Sequence, residues 1–411
     1  MTQIAPRASD QGVRRLATTL YGYAFLSDLV LLYPVYALLF ADTGLSVGQI
    51  SSLFVIWSVG GILLEVPSGA WADAVSRRLL LRLAPLVTAA GYALWVLLPS
   101  YPAFAVGFLL WGAGGALVSG ALEALVWTEL DRVGAAGRYA RLLGRAKTAG
   151  VLGVLVAGAA AGPVLAAGGY PAVGAASVLA CLLAAAVAAR FPEHRAAPAL
   201  RDGAPPPVDD EAELGWWGNL RAGVAQVRIS RPVRAAVLLV ALVAADWGAL
   251  DEYTPLLARD TGVGAAAVPL LLLLLSAAVT VGGLLAPAGE RLGGRGYAGL
   301  LGLVAVGLAA GALAGHPVGF VVLAVAFGAA QLATVLADAR LQARISGTSR
   351  ATVTSLAGMA TDVTIILGYL GYGLVATAAG NAVAFAVAAV PYLILALVLL
   401  AGRRRSAVRP R

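Results

Sequence analysis

The chain has 411 residues, of which 60% are hydrophobic and only 12% are charged. Soluble domains are about 45–50% apolar and about 25% charged, so the composition excludes a water-soluble protein, a disordered chain and a collagen-like fibre. The only cysteine, Cys181, cannot support a disulfide framework, and the formal net charge of +8 raises the question of which membrane face is basic.

Twelve long apolar runs predict twelve transmembrane helices, because a spanning helix needs about 20 apolar residues. The runs are continuous rather than alternating, which favours helices over a membrane barrel. The first six runs are Leu16–Phe40, Ile50–Trp71, Leu79–Leu98, Ala103–Trp127, Ala146–Ala167 and Tyr170–Ala189. The second six are Val233–Leu257, Ala265–Ala286, Tyr297–Gly315, Val318–Leu341, Thr352–Ala376 and Asn381–Ala401. The predicted fold class is an all-α membrane protein.

The positions of the basic residues predict the orientation in the membrane. If the N-terminus is cytoplasmic, all of the 29 Lys and Arg residues except Arg259 fall in cytoplasmic segments, as the positive-inside rule requires. Both termini are therefore predicted to be cytoplasmic, in a cell membrane. The predicted segments are an N-tail (1–15), a six-helix bundle (16–190), a linker (191–232), a second six-helix bundle (233–401) and a basic tail (402–411). Within the linker, residues 213–228 look amphipathic and are predicted to lie at the membrane interface.

The two halves repeat each other at a nearly constant offset. Asp28 lies fourteen residues before the sequence D-T-G at 42–44, and Asp246 lies fourteen residues before the same sequence at 260–262. This pattern predicts two pseudo-symmetric six-helix bundles, arranged as parallel repeats about an axis along the membrane normal. Such bundles can rock against each other around a site near the middle of the membrane.

The loop between predicted helices 2 and 3 carries a recognisable pattern. Residues 65–78 read E-V-P-S-G-A-W-A-D-A-V-S-R-R, which resembles the G-x-x-x-D-x-x-G-R-[KR] motif of the major facilitator superfamily. The matching residues are Gly69, Asp73, Arg77 and Arg78. Ser76 replaces the second glycine of the motif, and Ala74 stands where an arginine is usual. The resemblance implies the fold of this superfamily and a cytoplasmic gate. In this gate, Asp73 would hold the two halves together by contacting the positive N-terminus of predicted helix 11. The alternative interpretation of residues 65–78 is an ordinary basic loop without a gating role.

Predicted helix 5 carries a second pattern. Its residues Gly158, Gly162 and Pro163 precede the pair Gly168–Gly169, which resembles the G-x-x-x-G-P-x-x-G-G motif of exporting antiporters in the superfamily. Glycines one turn apart allow close helix contact, and the proline bends its own helix. The resemblance implies export, with these residues as a hinge. The arginine that the family usually carries in helix 4 is replaced by Phe108, which argues against the usual arrangement for proton coupling.

Acidic residues within the apolar runs are the candidate functional groups. An ionised side chain at the bilayer centre costs about 2.5–3.5 kcal/mol, so Asp28, Asp246 and Glu123 are predicted to bind protons or substrate. The aromatic residues predicted to line the cavity and to offer cation–π contacts are Tyr33, Tyr36, Trp247 and Tyr253. Asp251 and Glu252 are predicted either in the outer vestibule or simply at the outer water interface.

Together these features predict a monomeric secondary transporter that works by alternating access in the lipid bilayer. The predicted activity is proton-coupled efflux of a small amphiphilic or cationic molecule, with no metal, cofactor or nucleic-acid partner. His194 and His316, the only histidines, lie in loops on opposite sides of the membrane, which argues against an enzyme. The alternatives are a proton-coupled importer or facilitator of a small nutrient, and a transporter-fold receptor or scaffold that does not cycle.

Overall fold

The computed structural model describes residues 6–194, 224–225, 227–345 and 350–407. Within these ranges every regular element is a helix. Most of the predicted linker at 191–232, including most of its amphipathic segment at 213–228, lies outside the described residues. The all-α fold class is confirmed.

The first compact unit contains residues 6–194 together with residues 264–273. Its helices are α1 (Pro6–Asp28), α2 (Tyr36–Asp42), α3 (Val47–Ala74), α4 (Arg77–Leu97), α5 (Tyr101–Val118), α6 (Ala121–Arg132) and α7 (Tyr139–Ala188). Helix α1 packs chiefly on α7, and α4 packs on α5 and α7. Because α1 begins at Pro6, the described part of the predicted N-tail is helical.

The second compact unit contains residues 224–263 and 274–407 of the described chain. Its helices are α8 (Arg231–Asp251), α9 (Thr254–Asp260), α10 (Val268–Leu284), α11 (Ala286–Gly289), α12 (Gly294–Leu313), α13 (Gly319–Gln342), α14 (Arg350–Ala379), α15 (Asn381–Ala388) and α16 (Val390–Ala407). Helix α8 packs on α14 and α13, and α12 packs on α13 and α16. The first residues of α10 belong to the first unit.

Ten helices in the described part of the chain are long and apolar enough to cross a membrane. One of them, Ala136–Ala188, covers both predicted helices 5 and 6. These two are separated by Gly169, whose φ of 62° lies outside the helical region. None of the ten helices covers predicted helix 1. The count of twelve transmembrane helices therefore stays a prediction.

Predicted helices 1 and 7 are each interrupted. The first divides into α1 and α2 around residues 29–35, and the seventh divides into α8 and α9 at residues 252–253. Pro34 lies in the first break, and Pro255 lies in the first turn after the second. Proline lacks a backbone N–H and clashes with the preceding helical turn, which explains why an apolar run of sufficient length does not form one continuous helix here.

The D-T-G sequences end α2 and α9 in the same way. The hydroxyl of Thr43 donates to the backbone carbonyl of Leu39 at 2.7 Å. The hydroxyl of Thr261 donates to the backbone carbonyl of Ala258, also at 2.7 Å. The following glycines, at 44 and 262, have φ values of 94° and 85°. That left-handed conformation favours glycine, which accounts for the residue type at this position in both halves.

The aspartates of the two D-T-G sequences also have equivalent partners. Asp42 Oδ2 accepts a hydrogen bond from the Tyr170 hydroxyl at 2.6 Å, and Asp260 Oδ2 accepts one from Asn381 Nδ2 at 2.7 Å. Each partner stands directly after a glycine with positive φ, at the start of the last predicted transmembrane helix of its half. A hydrogen bond to the aspartate thus recurs in both units with different donors, as expected of repeated halves.

Candidate transport site

Asp246 lies in α8, five residues before that helix ends. Its Oδ2 is buried and has no hydrogen-bond partner among the described residues. The next residue is held firmly: the Trp247 backbone N–H donates to the Tyr392 hydroxyl at 3.2 Å, and Trp247 Nε1 donates to Thr334 Oγ1 at 3.1 Å. The Tyr392 hydroxyl itself donates to the carbonyl of Val243 at 2.8 Å. Neighbouring helices therefore fix the backbone that carries Asp246.

A buried carboxylate oxygen without a partner is unusual, because burying a charge is costly unless it is paired or hydrogen-bonded. In the described part of the chain, Asp246 forms no salt bridge with a basic side chain. A proton or a bound cation would neutralise this charge and remove the cost of burying it. This is the chemical property that a coupling residue in a membrane transporter needs.

Asp28, the repeat-mate of Asp246, is the last residue of α1 and is exposed. Its carboxyl group lies over Gly150 of α7, so closely that a Cβ atom at residue 150 would collide with it. A Cβ at Gly153 would likewise meet the carbonyl of Phe25. The small residues of α7 thus allow the end of α1 to approach, and they determine where the Asp28 carboxyl lies.

The break after Asp28 frees backbone groups that need hydrogen bonds inside a membrane. Ser177 of α7 meets this need, because its hydroxyl accepts from the backbone N–H of Leu32 at 3.0 Å. The same hydroxyl donates to the carbonyl of Val173 at 2.9 Å. Sequence reasoning did not select Ser177, because a lone serine in a small-residue helix carries no distinguishing pattern.

The four predicted cavity aromatics have different surroundings. Tyr36 and Tyr253 are 2% and 0% exposed, and Tyr253 stacks on Tyr372 with ring centroids 3.6 Å apart. Tyr33 and Trp247 are half-buried. Half-buried rings have area left for a ligand, so these two suit the predicted role better than the two buried ones. The role itself stays a prediction.

The remaining predicted acids occupy varied positions. Glu123 is exposed in the first turn of α6, just after the left-handed Gly120. Asp251 ends α8 and is half-buried, whereas Glu252 is 8% exposed. Among the described residues no group of three or more His, Cys, Asp or Glu side chains could hold a metal ion. Whether Asp251 and Glu252 belong to an outer vestibule stays a prediction.

The predicted gate motif joins α3 to α4. Ser76, which replaces the usual glycine, caps α4 by accepting from the Leu79 backbone N–H at 3.1 Å. The Arg77 guanidinium donates to the carbonyl of Ala124 at 3.1 Å and to Thr128 Oγ1 at 3.0 Å, so it ties this loop to α6. Arg78 is exposed. Gly69 and Asp73 lie within α3, but their side chains fall outside the described residues, and the Asp73 latch stays a prediction.

Residues 191–194, which we call the 191–194 clasp, connect the ends of several helices. The Glu193 carboxylate accepts from the Arg77 backbone N–H at 2.8 Å and from the Ser76 hydroxyl. His194 donates its backbone N–H to Glu129 at 2.8 Å, and its ring Nδ1 lies 3.0 Å from the same carboxylate. The sequence placed these residues in a linker, and no local pattern pointed to partners more than sixty residues away.

Glu129 is the buried partner of the 191–194 clasp, with a side chain only 4% exposed. We expect Glu129→Gln to lower the free energy of unfolding by about 1–3 kcal/mol, because hydrogen bonds to a charged group are lost. The measurement is denaturant unfolding of the purified protein in detergent. Asp131→Asn is the matched control, since Asp131 lies on the same helix and is exposed. Equal stabilities for the two variants would contradict this account of the clasp.

The predicted helix 5 hinge lies where α7 meets residues 264–273 of the same unit. A Cβ at Gly162 would collide with the backbone carbonyl of Ala266, and a Cβ at Gly158 would come within 2.7 Å of Leu273 Cδ2. Pro163, the next residue of α7, is exposed. The two glycines therefore permit a close helix contact, and their role as a hinge stays a prediction.

Comparison with known proteins decides the family. The family model described as Major Facilitator Superfamily matches residues 18–305. The chain belongs to the major facilitator superfamily. As a member, it is a multi-pass membrane protein of the secondary-transporter kind. A search of curated proteins found no match.

Solved structures of several transporters resemble this superfamily member. The nucleoside transporter NupG is 14% identical, with a TM-score of 0.75 over 94% of this chain and 98% of that one. A bacterial homologue of the human lysosomal transporter Spinster, in an inward-facing and unoccupied conformation, is 16% identical, with a TM-score of 0.71 over 96% and 97%. A D-xylose-proton symporter is 15% identical, with a TM-score of 0.66 over 94% and 96%. At these identities the likeness shows the fold alone.

Proposed function

We propose that this superfamily member couples proton movement to the export of a small amphiphilic or cationic molecule by alternating access. The observation that carries the proposal is the buried, unpartnered Oδ2 of Asp246. In this proposal the protein works as a monomer in the cell membrane, with both termini in the cytoplasm and with Asp73 as part of the cytoplasmic gate.

The mechanism follows from competition for a buried negative charge. A proton on Asp246 removes the charge, and a bound cation compensates it; in either state the bundles can reorient at lower cost than with an uncompensated charge. Alternation between the two states makes each substrate leaving the cell depend on a proton entering it. Asp28 and Glu123, which are exposed, supply further negative charge to attract a cation.

Two observations bear on the direction of transport. Export is supported by the glycines of α7, which resemble the antiporter motif and make a close contact with Ala266. The second candidate is proton-coupled import, which is supported by the likeness in fold to a protein named as a D-xylose-proton symporter. Both candidates use the same acids and differ only in the sign of the coupling.

Uptake into inverted membrane vesicles with an acidic lumen distinguishes the candidates. We expect the pH gradient to drive uptake of at least one member of a panel of organic cations, nucleosides and pentoses, and we expect Asp28→Asn to abolish that uptake. Proton-driven loss of a preloaded compound would instead support import. Flux that does not depend on the pH gradient would indicate a facilitator. The absence of flux for every compound in the panel would favour the receptor alternative.

A further inference from the structure

Three aromatic residues of the first unit form a surface that the sequence did not reveal. Trp57 of α3 and Trp111 of α5 stack with ring centroids 4.9 Å apart and an interplanar angle of 20°. Tyr33, in the break between α1 and α2, meets Trp111 edge-on at 6.2 Å. All three are half-buried. We call this set the aromatic surface.

The aromatic surface faces away from the aliphatic side of its helices. Leu109 of α5 and Val59 of α3 are 42% and 40% exposed, as expected of side chains that contact lipid. Trp111 and Trp57 each lie two residues from these positions, which is about 200° around an α-helix. One turn after Trp111 the exposed residue is Gly115, not a large apolar side chain. This face therefore carries small and aromatic residues, in contrast to the aliphatic face.

Two buried hydroxyl groups beside the surface have no hydrogen-bond partner. Tyr36 and Tyr92 are 2% and 1% exposed, and their hydroxyl oxygens lack a partner among the described residues. The ring centroids of Tyr36 and Tyr92 lie 6.1 and 5.5 Å from the ring centroid of Trp111. Buried polar groups in proteins are nearly always hydrogen-bonded, so these two phenols are an unusual feature of the packing behind the aromatic surface.

A negative charge lies close to Tyr33 along the chain. Asp28 ends α1 five residues before Tyr33, and its carboxyl group lies over Gly150 of α7. Asp28 is exposed, and in the part of the chain that the structure describes no basic side chain forms a salt bridge with it. The first unit thus combines flat aromatic rings with a carboxylate that has no basic partner among the described residues.

We propose that the aromatic surface binds the planar aromatic part of a positively charged substrate. The flat ring packs on Trp57 and Trp111, and the positive charge is attracted to Asp28 and to the ring faces. This inference rests on the proposed transport function and specifies its substrate class.

Binding of berberine, a planar aromatic cation with ether oxygens, tests the inference. The full-length protein in lipid nanodiscs is titrated at fixed pH, and binding is followed by berberine fluorescence. We expect Trp111→Ala and Asp28→Asn each to weaken berberine binding by about tenfold or more. The first variant loses a cation–π contact, and the second loses an attraction between opposite charges. Trp127→Ala is the matched control, because Trp127 is exposed on α6 and meets only the ring of Tyr139 among the described aromatic contacts.

Two further variants keep the result interpretable. Trp111→Phe retains a flat ring and should bind more tightly than Trp111→Ala, which excludes misfolding as the cause of a loss. Asp338→Asn should bind berberine within about twofold of the wild type, because Asp338 is exposed near the end of α13 in the second unit. Wild-type affinity in both Trp111→Ala and Asp28→Asn would overturn the inference.

The inference and the proposed function can fail separately. A wild-type protein that moves a nucleoside or pentose in a pH gradient but does not bind berberine would overturn the subsite and leave proton coupling standing. Berberine binding that depends on Trp111, without proton-driven flux of any compound, would overturn the proposed function.

Discussion

Replacing Asp246 by asparagine is expected to abolish proton-driven accumulation of substrate while leaving the reorientation of the bundles intact. Asparagine has nearly the same shape as a protonated aspartate but cannot release or accept the proton. The fixed backbone around residue 246, held by Tyr392 and Thr334, should tolerate this change. The variant should therefore still reorient, without any link to the proton gradient.

The size of the expected effect follows from the driving force. A gradient of about two pH units supports up to about 100-fold accumulation when one proton is exchanged for one substrate, because each pH unit is worth one factor of ten. We expect Asp246→Asn to reduce this accumulation to the level of passive equilibration. The measurement is uptake in proteoliposomes with and without the gradient, beside counterflow at equal pH.

Asp338→Asn is the matched control for this experiment. Asp338 lies in the same unit, carries the same side chain and is exposed near the end of α13. Accumulation should survive that substitution. If Asp246→Asn and Asp338→Asn accumulate substrate equally, Asp246 does not carry the proton.

The second large effect is expected at Gly162, where a methyl group has no room. Gly162→Ala places a Cβ against the backbone carbonyl of Ala266, and a backbone atom cannot move aside as a flexible side chain can. Forcing an extra methyl into such a contact costs about 1–3 kcal/mol. We expect a corresponding loss of thermal stability in detergent, together with a strong reduction of transport.

Gly302→Ala provides the comparison for Gly162→Ala. Gly302 lies in α12 and has open space where its Cβ would be. Alanine favours a helix over glycine by about 1 kcal/mol, so this substitution should leave the protein as stable as the wild type or more stable. A Gly162→Ala protein with unchanged stability and transport would contradict the close contact between α7 and Ala266.

Much of the fold could be predicted because it depends on hydropathy and on repetition. Continuous apolar runs located the helices, and the shared D-T-G sequences predicted the repeat, with which the corresponding bonds of Asp42 and Asp260 agree. The interruptions near Pro34 and Pro255 were missed, because a count of apolar residues does not register the missing N–H of proline.

The candidate site was less accessible to sequence reasoning, because a uniformly apolar helix does not show which face meets lipid. Trp57 and Trp111 stand among other large apolar residues, and only the packing of α3 on α5 makes their shared surface visible. The same holds for Gly150, one glycine among 50 in the chain, whose importance comes from the Asp28 carboxyl above it. Acids stood out because charge is rare in the membrane.

The most direct test of proton coupling at Asp246 imposes a substrate gradient and measures the movement of protons. Proteoliposomes containing a pH-sensitive dye start at equal pH on both sides and receive a concentration gradient of berberine, a nucleoside or a pentose. The wild type should change the lumenal pH with at least one of these compounds, and Asp246→Asn should move that compound without changing the pH. A substrate-driven pH change that persists in Asp246→Asn would contradict the assignment of the proton to this carboxyl group.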